Sequence, residues 1–293
     1  DEETDMATTR ALAARYKDAE MLLNGDGGGG LLNEAGEPVL YQLQAGEKTY
    51  ADFEIGFTDA GGHSSAPTPG NPIYKLAKAI DRIAAYEFPA MRNELTQASL
   101  ALSADRIGGE VGQAMRRFAE TGDPAAAKIL SSRPEFVGQV RTTCVATMAQ
   151  AGHALNALPQ SAKVSVNCRI FPGVPIEDVK AQLVKVVNDP SATVTTLNDP
   201  TGSDASPLRA DVMDAVRDAV SARAPGIAIM PGMSAGATDS VHFRALGVPS
   251  YGVSSLFMRA EDGFAHGLNE RVPVAGIRES LEQWDRVLRA LAR

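Results

Sequence analysis

Tyr50-Ala51-Asp52-Phe53-Glu54-Ile55-Gly56-Phe57 alternates without a slip. Phe53, Ile55 and Phe57 fall on one side, Asp52 and Glu54 on the other. A period of two with charge on one side predicts a strand with one face in a core. Downstream, Asn71-Pro72 offers an N-cap followed by proline at the first helical position. Ile73, Leu76, Ala77, Ile80, Ile83 and Ala84 then recur at helical spacing. Arg141–Met148 and Lys163–Ile170 read as strands. In the second, Val164, Val166, Cys168 and Ile170 should face inward and Ser165, Asn167 and Arg169 outward. Ile176–Val187 reads as a helix and Ala192–Leu197 as a strand. The order strand, helix, strand, strand, helix, strand is a ferredoxin-like split unit. It occupies about 47–204, with a helical insertion near 90–133.

The flanks have a different grammar. Thr4 or Asp5 can cap a helix running to about Asp18, Met21-Leu22-Leu23 is a short strand, and Leu31–Tyr41 is a hairpin turning at Glu34–Glu37. After a polar linker come a helix over Pro207–Arg223, a strand over Gly226–Met230, a helix over Asp239–Leu246 and a strand over Val248–Val253. A final amphipathic helix carries Ile277, Leu281, Trp284, Leu288 and Leu291. Helix and strand alternating on both sides of the split unit predict one α/β domain, residues 1–46 and 205–293, interrupted by an α+β lid.

The chain has 293 residues, which suits two domains rather than one core. Its apolar fraction of 44% is ample for burial, and its net charge of −8 argues against a nucleic-acid partner. No apolar run approaches the ~20 residues of a membrane span. The reading is a soluble protein, cytoplasmic or periplasmic, without a membrane partner. Cys144 and Cys168 lie too far apart for a zinc-ligand pair and are expected to be buried thiols.

Two short motifs offer false leads. Gly25-x-Gly27-x-x-Gly30 has the spacing of a dinucleotide fingerprint, but a hairpin follows it where that fingerprint needs a helix. Gly232-Met-Ser234-Ala-Gly236 has the spacing of a nucleophile elbow, with Asp262 and His266 following in serine-hydrolase order. That rival leaves the acidic start of the chain and the Gly-Gly-His63 turn without a role.

The alternative is a metal site. In Asp1-Glu2-Glu3 one carboxylate could bind metal while its neighbour stays free as a base. Asp26 sits in the open turn Asn24-Gly-Asp26-Gly-Gly-Gly, and His266 lies in Ala265-His266-Gly267-Leu-Asn-Glu270. Carboxylate and imidazole are ligand types that suit zinc. With Gly61-Gly-His63-Ser-Ser-Ala-Pro67, Asn156-Ala-Leu-Pro159, Asn167-Cys-Arg169 and Gly236-Ala-Thr238-Asp239-Ser240, these pieces resemble the zinc aminoacylase/carboxypeptidase family of metallopeptidases. That family includes acetylornithine deacetylase and succinyl-diaminopimelate desuccinylase.

The resemblance implies a zinc-peptidase-like α/β catalytic domain and a lid that forms a homodimer. It implies two zinc ions, with cobalt or manganese as substitutes, held by Glu3 and His266 on one side and Asp26 on the other. Glu2 would be the general base, and His63 would reach a partner subunit's site to stabilise the oxyanion. Asn156 and Arg169 would hold the substrate carboxylate or transition state, and Thr238 would line the pocket. The substrate would be a dipeptide, short peptide or N-acyl amino acid. The family's His-x-Asp motif and bridging Asp would precede the Asp-Glu-Glu, so the chain is read as the later two-thirds of such an enzyme, inactive alone. A dimerisation module without catalysis is the third reading. The strand with Phe53, Ile55 and Phe57 and the helix from Pro72 are expected at the dimer interface.

Overall fold

The computed structural model describes residues 6–263 and 267–292. In chain order its elements are α1 (Ala7–Arg15), β1 (Leu22–Asn24), β2 (Gly29–Leu32), β3 (Pro38–Glu47), β4 (Thr49–Thr58), β5 (Gly62–His63) and α2 (Pro72–Ala85). Then come α3 (Glu94–Ile107), α4 (Gly109–Thr121), α5 (Pro124–Ser131), α6 (Pro134–Val140), β6 (Thr143–Ala151), β7 (Ala157–Leu158) and β8 (Ser161–Ile170). The last are α7 (Ile176–Val187), β9 (Thr193–Leu197), α8 (Ala210–Arg223), β10 (Ala228–Ser234), α9 (Ser240–Ala245), β11 (Ser250–Gly252), β12 (Phe257–Arg259) and α10 (Val274–Leu291). The chain forms two compact units. The first holds the residues up to Glu47, Arg92–Leu130 and those from Ser203 on; the second holds Lys48–Met91 and Ser131–Gly202.

The first unit is built on a mixed sheet ordered β1-β11-β3-β2-β12, with β10 also pairing β3. β3 runs through its middle, parallel to β10 and antiparallel to β2 and β11. Tyr41, Leu43 and Ala45 of β3 are fully buried. The β2–β3 turn closes as the sequence suggests: Gly36 N–H donates to Asn33 O at 2.9 Å, with Gly36 at φ 82°. Strand β2 starts two residues earlier than expected, at Gly29. A Cβ at Gly30 would collide with the ring of Phe257 on the neighbouring β12, so glycine belongs in this strand. α1 stops at Arg15, short of Asp18, and its expected caps Thr4 and Asp5 lie outside the described residues. α10 packs on α8, burying Gly276, Gln283 and Val287 while Ile277, Leu281 and Leu288 stay exposed.

The helical insertion corrects one expectation. The sequence order places it in the lid, yet Arg92–Leu130 belongs to the first unit. Its helices are delimited as the glycines suggest, with Gly108 and Gly122 at φ 66° and 73° ending α3 and α4. α3 opens on a reciprocal capping box in which Asn93 and Thr96 exchange hydrogen bonds of 3.0 Å. The reason for its allegiance is packing. Leu95 lies over Gly46 of β3, and the Ser99 and Ser103 hydroxyls meet Met230 Sδ of β10 at 3.6 and 3.5 Å. Local periodicity defines such helices but not the sheet that receives them.

The second unit is an antiparallel sheet ordered β6-β8-β4-β9, the expected split unit. One face is its core: Phe53, Ile55, Phe57, Val164, Val166 and Ile170 pack against Leu76, Ala79 and Ile83 of α2 and Val179, Leu183 and Val187 of α7. The predicted alternation of β8 holds at every position from Val164 to Ile170.

Two corrections follow from this register. β4 is flanked on both sides by β8 and β9, and Phe53, Ile55 and Phe57 are buried in their own unit, so that strand cannot present them to a second subunit. Cys144 lies opposite Cys168 across β6 and β8, and the two form a disulfide rather than separate thiols.

Candidate functional site

In the first unit, two loops carry the residues singled out by sequence. Asp26 lies in the exposed turn between β1 and β2, followed by Gly27, Gly28 and Gly29 at φ 121°, 72° and 111°. A side chain would be strained at all three, and at Gly28 it would also run into the Gly252 and Gln42 carbonyls. The turn is anchored by Asn24, whose Oδ1 accepts from Asp26 N–H at 2.9 Å while its Nδ2 donates to Ser240 Oγ at 3.1 Å.

Ser240 begins α9, directly after the loop carrying Thr238. Thr238 itself is buried, and its polar atoms are used inside the fold. Its N–H donates to Glu47 Oε2 at 2.6 Å, its Oγ1 accepts from Ser240 N–H at 3.3 Å and its carbonyl from Val241 N–H at 3.2 Å. What this loop exposes is Ala235-Gly236-Ala237. The structure therefore joins Asp26 and Thr238 through Asn24 and Ser240. It gives Thr238 the role of an anchor, not of a side chain at a pocket surface.

Sequence reasoning missed the group beneath. Glu47 and Arg244 form a fully buried ion pair, Oε1 to Nη1 2.7 Å. Arg244 also donates from Nε to Ser206 Oγ at 3.1 Å and from Nη2 to Ser250 O at 3.1 Å. Burial pushes the Glu47 carboxyl up from its ordinary range, while Arg244 and the Thr238 donors pull it back. The available signal was Glu47-Lys48, two adjacent charges between strand-like segments rich in apolar residues.

In the second unit, His63 and Asn156 come together. β5 pairs with β7 so that His63 lies opposite Ala157, and Ser64 N–H donates to Asn156 O at 3.1 Å. Both His63 and Asn156 are exposed. Ser65 N–H donates to His63 Nδ1 at 3.2 Å, and Ser65 Oγ lies 2.8 Å from it. That backbone donor makes Nδ1 an acceptor, so in the neutral ring Nε2 carries the proton and faces outward as a donor.

Arg169 is elsewhere in the same unit. It lies opposite Tyr50 across β4 and β8, its guanidinium 4.6 Å from the Tyr50 ring centroid. Beside this pair, Asn167 Nδ2 donates to Asp52 Oδ1 at 2.8 Å. Tyr50 is the second residue of the paired segment and Thr58 closes it, just before the His63 turn. Eight strand steps separate them, about 26 Å at ~3.3 Å per residue.

The serine-hydrolase reading fares poorly. Ser234 is the last residue of β10, held in register with Glu47, and the next helix begins only at Ser240. An elbow needs the helix at once. Asp262 is ion-paired with Arg271. Glu2, Glu3 and His266 lie outside the described residues. Among the described residues no group of three or more metal-type side chains converges, and Asp26 alone falls short of the roughly four ligands a zinc ion takes. Among these residues, too, no helix is long and apolar enough to cross a membrane.

Comparison with known proteins agrees with this architecture. A family described as the peptidase dimerisation domain matches residues 45–195. The chain is similar to a probable carboxypeptidase S-like protein of Dictyostelium discoideum, 23% identical over 80% of this chain and 46% of that one. It is similar to an N-fatty-acyl-amino acid synthase/hydrolase of Mus musculus, 25% identical over 81% of this chain and 48% of the other. The chain thus spans about half the length of these curated relatives. In fold it is similar to an M20 family metallo-carboxypeptidase from Sulfolobus solfataricus, with a TM-score of 0.64 at 17% identity, covering 96% of this chain and 66% of that one.

Proposed function

Since the chain belongs to the M20 peptidase family through its peptidase dimerisation domain, we propose that the protein it forms part of hydrolyses an amide bond beside a free carboxylate. The substrate is a dipeptide, a short peptide or an N-acyl amino acid. The curated relatives carry names of that class, a carboxypeptidase and an N-fatty-acyl-amino acid hydrolase. In this reading Arg169, its plane held against Tyr50, receives the carboxylate as a bidentate donor. His63 offers Nε2–H to the oxygen that gains charge as the carbonyl is attacked. Two metal ions, zinc or in its place cobalt or manganese, would be held by Asp26 together with Glu3 and His266. Such cations polarise a carbonyl and acidify a bound water, and Glu2 would take the proton.

One observation carries the arrangement. His63 and Asn156 lie at the small β5–β7 pair beyond the Thr58 end of β4, while Arg169 lies opposite Tyr50, and β4 runs about 26 Å from Tyr50 to Thr58 at ~3.3 Å per residue. A dipeptide spans far less than that. That spacing supports a reading in which two copies of this unit, related by symmetry, bring His63 of one to Arg169 of the other. The second unit has a face for such pairing in β6. It is an edge strand, with Val145 59% and Met148 63% exposed, and Ile73 and Tyr74 of α2 are exposed as well.

Mixed dimers test this. In the full-length protein, His63→Ala and Glu2→Gln protomers should each be inactive on dipeptides and N-acyl amino acids. Verified heterodimers should regain activity at the one site that keeps both groups. Heterodimers as inactive as their parents would place His63 in its own subunit's site or outside catalysis.

A further inference from the structure

Glu47 has a geometry that the folding of a strand end does not require. It is the last residue of β3, where a carboxylate would ordinarily turn to water, yet its side chain is enclosed. One oxygen accepts from Thr238 N–H at 2.6 Å, and the other accepts from Arg244 at 2.7 Å. Enclosing a carboxylate and a guanidinium is costly unless their hydrogen bonds are filled. Here Ser206, Ser250 and Thr238 fill them.

The assembly lies at the root of both loops described above. Thr238 is where the exposed Ala235-Gly236-Ala237 segment returns to the fold, and the segment's other end is held by Ser234, whose Oγ accepts from Gly236 N–H at 3.0 Å. From Thr238 the connection continues through Ser240 to Asn24 and the Asp26 turn. A loop of alanine and glycine has no side chains with which to fix itself. Among its ties are the Thr238 amide on Glu47 and the Gly236 amide on Ser234.

We propose that Glu47 is a positioning residue: through the Thr238 amide it sets the Ala235–Ala237 segment as the substrate-facing wall of the first unit. This rests on the hydrolase reading for the word substrate, but the tie itself does not. Arg244 neutralises Glu47 and orients it without reaching the wall. The wall then binds the acyl or peptide portion of the substrate by shape and backbone contacts, so Glu47 should govern KM more than kcat.

The test separates charge from tie. In the full-length protein, Glu47→Gln with Arg244→Met keeps an acceptor for Thr238 N–H and removes both charges. Glu47→Met with Arg244→Met removes the acceptor as well, and apolar replacement of a buried ion pair generally preserves folding. Amide hydrogen exchange at Thr238 and Gly236 is read first. It should be slow in the parent and in the Gln/Met protein, and faster in the Met/Met protein. On a dipeptide or N-acyl amino acid, the Met/Met protein should raise KM about ten- to hundredfold, the worth of a hydrogen bond to a charged group. Its kcat should change less, and the Gln/Met protein should recover most of the loss. A Thr238 amide that exchanges freely in the parent overturns the proposal without any variant. So do matching exchange and KM in the two double variants. If the parent hydrolyses none of these substrates, the hydrolase reading fails while exchange still decides the role of Glu47.

Discussion

Cys144 and Cys168 face each other across β6 and β8 and are joined by a disulfide, their Cα atoms 4.1 Å apart. Among the described residues β6 pairs with β8 alone, as the edge strand of its sheet. The bond closes a span of 24 residues and staples the edge strand to the interior. In the chain-entropy account a loop of that size contributes about 3.5 kcal/mol. Alkylation under denaturing conditions should modify neither cysteine until a reductant is added. Cys144→Ala with Cys168→Ala should lower unfolding stability by about 2–4 kcal/mol. Labelling of both thiols in the unreduced protein would refute the bond.

Lys48 is fully enclosed, with Nζ donating to Arg141 O at 2.8 Å and, among the described residues, no carboxylate as its hydrogen-bond partner. Burial, and secondarily the charge of Arg169, pushes its ammonium down to about 7 from the ordinary 10.5. Between those values the unfolded chain binds the extra proton, so stability should rise as pH climbs from about 7 toward 10.5. Below that window the cost of the enclosed charge is fully present. Lys48→Met removes the titration, so the stability gap between variant and parent should shrink as pH rises. Denaturant midpoints at a series of pH values check this; two profiles running parallel across the window would exclude it.

Gly112 decides how closely α4 approaches α3. A Cβ there would collide with the Ala104 carbonyl, which is backbone and cannot swing aside. Gly112→Ala gains about 0.8–1 kcal/mol in helix propensity. Overpacking against a fixed backbone costs about 1–3 kcal/mol, and the larger effect should win. The expected result is a lower midpoint in thermal unfolding. A stabilised Gly112→Ala protein would mean the helices can separate without cost.

Much of this molecule was legible in the chain because its second unit is written in period two. Phe53, Ile55 and Phe57 on β4 and Val164 to Ile170 on β8 alternate, and each alternation marks an inward face. Alternation does not reveal strand order. That β4 is interior and β6 an edge depends on pairing between residues far apart, so the alternation of β4 alone does not show that Phe53, Ile55 and Phe57 are enclosed within their own unit. The same blindness to pairing hid the disulfide, since Cys144 and Cys168 become opposite only once the register is set. In the first unit, motifs pointed to Asp26 and Thr238, but the Glu47–Arg244 pair beneath them spans nearly two hundred residues of chain and has no local pattern.

The open edge of β6 makes the last prediction. Thr147 to Ala151 are all exposed, and Val145 and Met148 present apolar side chains to water at 59% and 63% exposure. Unpaired strand edges of this kind are usually blunted by charge, often lysine. Here the exposed run carries none, which fits an edge that is covered in the assembled protein. Val145→Lys with Met148→Lys should leave the core of the second unit intact, since neither side chain belongs to it. Placed on both copies of a symmetric interface, four lysines would then face one another. Like charges directly opposed are destabilising, and each also carries the cost of desolvation. Sedimentation velocity should show the parent as a dimer and the double variant as a folded monomer, with circular dichroism unchanged. If the variant still sediments as a dimer of the same stability, the partner subunit binds somewhere other than β6, and the route for His63 into a neighbouring site must be sought on another face.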